Sequence, residues 1–158
     1  MVWIRGLVFT ILVPYMIAVA VPQWISDKHD GWGGGWALIG IGAAFYLVSL
    51  FRFLAAGGTP TIYFTRPLRW VLGEEPHVVV ESGLYRITRN PMYVGAITAV
   101  LGQALLYRSG AVGLYGLVLM PWFHFVVTVL EEPHLRKERG AAYEEYCRRV
   151  PRWFGLVK

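Results

Sequence analysis

Two adjacent carboxylates, Glu131 and Glu132, stand at the end of the last long apolar run, and an earlier polar stretch, His77 to Gly95, holds Arg86, Arg89 and Asn90 between Gly83 and Pro91. A carboxylate pair suits a cationic or zwitterionic small molecule, because a positive group is attracted by anions and by aromatic faces. Arginine and asparagine in the facing stretch can take the anionic end of such a ligand or orient a polar acceptor. Gly83 permits the positive φ of a tight turn, and Pro91 presets the φ from which a helix can start at Met92. Taken singly, each stretch also fits a plainer role, the arginines resting on lipid headgroups and the carboxylates forming a solvated helix end. A third set, Gly140, Tyr143, Tyr146, Val150 and Pro151, follows the carboxylates in order.

The elements that must position these residues are apolar. The chain has 158 residues, 56% of them hydrophobic, with a mean hydropathy of +0.46. That places it in the membrane class, as a single domain over residues 1–158. The formal net charge of +5 arises from basic residues beside apolar runs rather than in a stripe of their own. Anionic headgroups are therefore the expected counterpart, with no nucleic acid and no obligate protein partner. The lone Cys147 permits neither an intramolecular disulfide nor a cysteine metal framework, and no metal is expected.

Four spans are predicted, over residues 2–25, 36–56, 91–107 and 111–130, against roughly 30 Å of hydrocarbon at about 1.5 Å per residue. A signal peptide competes for the first, since Arg5 precedes the apolar run and Ala18-Val19-Ala20 resembles a cleavage site. Trp24, Trp32 and Trp36 bracket the first turn as an interfacial belt. Gly40 and Ala44 are spaced to admit a close neighbour to the second span, and Arg52 near its end is an interfacial anchor. The loop over residues 57–90 has no run long enough to span. Within it Phe64 to Leu72 reads as an interfacial helix and Val78 to Val80 as extended chain. Gln103 and His124 are expected to be hydrogen-bonded within the bundle. In the C-terminal segment, residues 131–158, an amphipathic helix is expected. Leu135, Tyr143 and Tyr146 face either the bilayer or the loop, and Arg136, Lys137, Arg139, Arg148 and Arg149 suit anionic headgroups. The basic residues gather at one end of the spans, which puts both termini and both polar stretches in the cytoplasm, at a prokaryotic inner membrane. The fold class is thus an all-α integral membrane protein of about four transmembrane helices, with a cytoplasmic cofactor-binding loop.

S-adenosylmethionine has the chemistry that the paired stretches suit: a sulfonium, an amino-acid end with both charges, and an adenine that needs an apolar slot. The sequence resembles the isoprenylcysteine carboxyl methyltransferase family and the wider group of integral-membrane methyltransferases that includes phospholipid N-methyltransferases. The motifs are Gly83-Leu84-Tyr85, Arg89-Asn90-Pro91-Met92-Tyr93-Val94-Gly95, Glu131-Glu132-Pro133-His134-Leu135, Gly140 with Tyr143 and Tyr146, and Val150-Pro151. They cover the C-terminal half of the chain.

The resemblance implies cofactor contacts at His77, Val78, Val79, Val80, Tyr85, Asn90, Pro91, Met92, Tyr93 and Glu131. Two departures bear on the acceptor. Asn90 stands where the prenylcysteine enzymes have histidine, and Val127 stands where they have an arginine for the substrate carboxylate. The expected reaction is methyl transfer from S-adenosylmethionine to a lipophilic acceptor, a membrane lipid amine ahead of a prenylcysteine carboxylate. Glu132 is the candidate base for an amine, and Arg89 the candidate orienting group for a carboxylate or thiolate. The competing readings are a nicotinamide-dependent membrane reductase of the sterol reductase type and a non-enzymatic membrane assembly factor.

Overall fold

A computed structural model describes residues 13–26, 34–59 and 76–154, together with Ile4 and Val8. Helix α1 is Met16–Ile25 and α2 is Trp36–Ala55. A short 3-10 turn, Gly83–Arg86, leads to α3, Pro91–Leu106. Helix α4, Gly110–Phe125, widens into a π-helical turn over Val126–Glu131 and runs on as α5, Glu132–Arg139. After Gly140 comes α6, Ala141–Arg149. The described residues are helical or irregular, without a strand, as the sequence predicts. Two helices, α2 and the continuous Gly110–Arg139, are long and apolar enough to cross a membrane, whereas α1 and α3 are shorter apolar helices. The span predicted over residues 2–25 lies partly outside the described residues, and the helix expected from Phe64 to Leu72 lies wholly outside them.

Local chemistry sets the element ends. Gly57, with φ +84, follows α2, and Pro91 occupies the first turn of α3, where a missing N–H costs nothing. Arg108, with φ +49, turns the chain, and the Ser109 hydroxyl then accepts from the Val112 N–H at 3.3 Å to cap α4. Each π-helical turn leads into a proline, Pro22 after Met16–Ala20 and Pro133 after Val126–Glu131. Pro22 can donate to neither carbonyl one turn back. Ile17 O accepts instead from Tyr115 OH at 3.0 Å, and Ala18 O from Gln103 Nε2 at 2.5 Å. Gln103 is thus a structural tie between α3 and α1, as expected. His124 is hydrogen-bonded as well, but it is exposed and its partner lies in the C-terminal segment rather than in the bundle: its Nδ1 accepts from Trp153 Nε1 at 3.1 Å.

Helices α2 and α3 meet backbone to backbone. A Cβ placed on Gly42 lies 2.5 Å from Gly95 O, one on Gly95 lies 2.6 Å from Gly42 O, and Gly35 and Gly102 form a second such pair. The expectation that Gly40 and Ala44 make this approach is corrected: Gly40 has nothing within 4 Å of its Cβ position, and both residues are exposed. The helix carries glycines at two phases, and only the one facing the glycines of α3 is used. Gly95→Ala is therefore expected to cost about 1–3 kcal/mol by forcing the helices apart. Gly40→Ala should leave stability unchanged, and equal melting temperatures of the two variants in detergent would refute this packing.

The C-terminal helices dock inward. Tyr143, Tyr146 and Val150 form a buried cluster with Tyr85, against which Phe53, Val79, Val80 and Leu135 pack. Of the two directions left open, Tyr143 and Tyr146 therefore face the loop. The arginines expected on headgroups find partners within the protein: Arg136 pairs with Glu132 and Glu144, Arg148 with Glu145, and Arg149 with Glu81 at 2.8 Å.

Candidate active site

One cavity opens where the loop, α5 and α6 cover the ends of α1–α4. Val78, Val79, Val80, Tyr85, Arg89, Asn90, Met92, Tyr93, Glu131 and Glu132 line it. The candidate cofactor-binding and catalytic residues are thus brought together, save two that do not line the cavity. His77 is exposed, and Pro91 is buried in the first turn of α3.

Secondary contacts hold the frame. Tyr146 OH donates to Tyr85 O at 2.8 Å, which pins the 3-10 turn onto α6. Arg139 Nη2 donates to Pro76 O at 2.6 Å, which ties the end of α5 to the start of the valine run. Burial pushes the phenols of Tyr85, Tyr143 and Tyr146 well above their ordinary value, so they remain neutral donors. Burial likewise raises the Cys147 thiol, against the lowering effect of Arg89.

The two carboxylates have different surroundings. Glu131 accepts from Tyr93 OH through Oε1, and the Tyr93 ring packs on Phe123 with centroids 4.5 Å apart. Glu132 is only 2% exposed and meets three guanidiniums. Its Oε1 accepts from Arg89 Nη1 at 3.1 Å and Arg152 Nε at 2.5 Å. Its Oε2 accepts from Arg136 Nη2 at 3.2 Å and Arg152 Nη2 at 3.0 Å. Helix geometry separates these fates: successive residues point in different directions, so at the junction of the π-helical turn and α5 one carboxylate meets Tyr93 and its neighbour meets the arginines. Arg89 is committed too, since Nη1 also donates to Cys147 Sγ at 2.7 Å. Asn90 Nδ2 donates to Arg152 O at 2.9 Å.

Away from the polar end the walls are apolar. Ile17 of α1, Tyr46 and Phe53 of α2, Ala96 of α3, Phe123 of α4 and Val127 of the π-helical turn supply them. Sequence reasoning had not named Tyr46, Phe53 or Phe123. A signal was present in α2, where Gly42, Tyr46, Ser49 and Phe53 recur at helical spacing on the face that carries buried Gly42 and Ser49. Arg152 was also missed, one residue beyond the Val150-Pro151 motif. Among the described residues no cluster of histidine, cysteine and carboxylates could hold a metal ion.

Two helices apolar and long enough to cross a bilayer, with a cavity of carboxylate, phenol and apolar walls at one end of the bundle, fit a membrane protein with a mixed polar and apolar pocket. The chain belongs to the phospholipid methyltransferase family, whose profile matches residues 34–141. It is 37% identical over 82 residues to a protein-S-isoprenylcysteine O-methyltransferase of Schizosaccharomyces pombe, a match covering 51% of this chain and 34% of that protein. It is 30% identical over 79 residues to protein-S-isoprenylcysteine O-methyltransferase B of Arabidopsis thaliana, covering 49% and 40%. The chain therefore spans less than half the length of these curated relatives. No solved structure matches it. Neither a nicotinamide-dependent reductase nor an assembly factor finds support in these matches.

Proposed function

We propose that the chain transfers a methyl group from S-adenosylmethionine to a lipophilic acceptor at the membrane face, with α1–α4 as four spans and the carboxylate end of the bundle toward the cytoplasm. The observation that carries the reading is a cavity with one polar and one apolar end, lined by residues of every motif on which the family resemblance rests save Val150-Pro151. The donor set suits the cofactor. Glu131, held by Tyr93, offers negative charge beside aromatic faces for a positive group, and Val78, Val79 and Val80 offer an apolar slot. The bound cofactor supplies an already activated methyl carbon. What the protein adds is alignment and exclusion of water, the task of Tyr93, Phe123 and Val127 around the apolar end.

The acceptor follows from what the apolar end lacks. Val127 is 1% exposed and contributes no charge, and Arg89 is held by Glu132 and Cys147. Among the described residues that line the apolar end, none then offers an anionic acceptor an uncommitted cation, so this reading favours a lipid amine over a prenylcysteine carboxylate. Glu132 is on the same grounds an anchor for arginines rather than a base, because protonating it would break its ion pairs. The test is methyl incorporation by purified protein in nanodiscs, from labelled S-adenosylmethionine, into phospholipid and into a farnesylated cysteine analogue. Label in the lipid fraction is expected to exceed label in the analogue. Equal or greater methylation of the analogue would overturn the acceptor assignment, and no cofactor binding at all would overturn the reading.

A further inference from the structure

We propose that the segment Val150–Trp153 is a latch that sets the position of the loop Thr88–Asn90, with Arg152 as its positioning residue. The inference rests on the proposed function only for its binding readout. The chain leaves α6 at Val150 in extended conformation, φ −125 and ψ 128, and Pro151 cannot continue a helix. From there it is joined to three separate elements. The Arg89 backbone N–H donates to Pro151 O at 2.9 Å, and Thr88 Oγ1 and Asn90 Nδ2 both donate to Arg152 O, at 3.1 and 2.9 Å. The Arg152 side chain forks onto both oxygens of Glu132 at the start of α5. Trp153 Nε1 donates to His124 Nδ1, two helical turns before Glu132 on the α4 side.

A tail that merely covered the surface would not spend a two-pronged guanidinium on a buried carboxylate. The fork is geometrically demanding, and Glu132 is in turn bound to Arg89, the residue whose backbone the latch also holds. Backbone and side chain of Arg89 are thus fixed from the same source. Asn90 is fixed with them, through an amide donor that has only the Arg152 carbonyl as its described partner. Arg152 therefore reaches the cavity through Arg89 and Asn90.

The experiment uses the full chain in nanodiscs and compares wild type with Arg152→Gln, Arg152→Lys and Trp153→Phe. Amide hydrogen exchange of the peptide around Arg89 and calorimetric titration with S-adenosylhomocysteine are the two readouts. Arg152→Gln is expected to raise exchange at Arg89 and to weaken binding, each by about tenfold, with exchange of α2 and α3 unchanged. Arg152→Lys should recover part of both, a point charge replacing a fork. Wild-type exchange at Arg89 in Arg152→Gln would overturn the latch, as would an opened loop with undiminished affinity. If the wild type binds no cofactor, the functional reading falls and exchange alone decides the latch. If Arg152→Gln loosens α2 and α3 as well, Trp153→Phe decides: it keeps the ring, removes the indole donor, and should raise exchange only around Arg89.

Discussion

Replacement of Glu132 by glutamine is expected to destabilise the protein by about 3–5 kcal/mol, the cost of breaking a buried ion pair from one side. The carboxylate is 2% exposed, and Arg89, its most buried partner, is 10% exposed. Arg89 Nε has no hydrogen-bond partner among the described residues, so little remains there to compensate the guanidinium once its anion is gone. Glutamine keeps the shape and one acceptor oxygen, but it cannot serve the fork of Arg152 and the pairs with Arg89 and Arg136 together. For a domain of this size that loss lowers the melting temperature by roughly 6–20 °C. Thermal unfolding in detergent, followed by tryptophan fluorescence, measures it. Arg136→Gln is the internal comparison, since Arg136 is 42% exposed and screened by solvent, and its loss should cost less than about 1 kcal/mol. A glutamine variant that melts like the wild type but no longer turns over would reinstate Glu132 as a base.

Glu131→Gln is expected to leave the melting temperature nearly unchanged and to weaken cofactor binding by about ten- to over a hundredfold, equivalent to about 1.5–3 kcal/mol for a hydrogen bond or pair to a charged group. Tyr93 can still donate to the amide oxygen, so the local packing on Phe123 survives while the negative charge is removed. Calorimetric titration with S-adenosylhomocysteine, beside Glu132→Gln at a temperature where both are folded, separates the two neighbours. Undiminished affinity in Glu131→Gln would refute its part in binding. A loss confined to Glu132→Gln would exchange the two roles.

Much was legible before any fold was known, because the informative signals were local. The apolar runs imply helices wherever a backbone must satisfy its own hydrogen bonds away from water. The prolines and glycines that end α2 and open α3 act through their own φ. The motif residues from Val78 to Tyr93 lie within one short stretch of chain, so any fold that turns this stretch toward Glu131 brings most of them together. His77 shows the limit of that reasoning. It adjoins Val78 in the chain yet stands exposed outside the cavity, although Val78, Val79 and Val80 in succession all line it.

Other features depended on partners distant in sequence. Which glycines of α2 lie in the seam depends on where α3 carries its own, and that choice selected Gly42 over Gly40. Whether α6 faced lipid or protein turned on Tyr85 and the valine run being present to receive Tyr143 and Tyr146. The contrast between Glu131 and Glu132 is the sharpest case. The residues are adjacent and chemically identical, and the expectation from sequence and resemblance is a cofactor contact at Glu131 and a candidate base at Glu132. Only the tertiary structure set Tyr93 against one and three arginines against the other, because the effect of charges depends on distance in space and on burial, and neither is written along the chain.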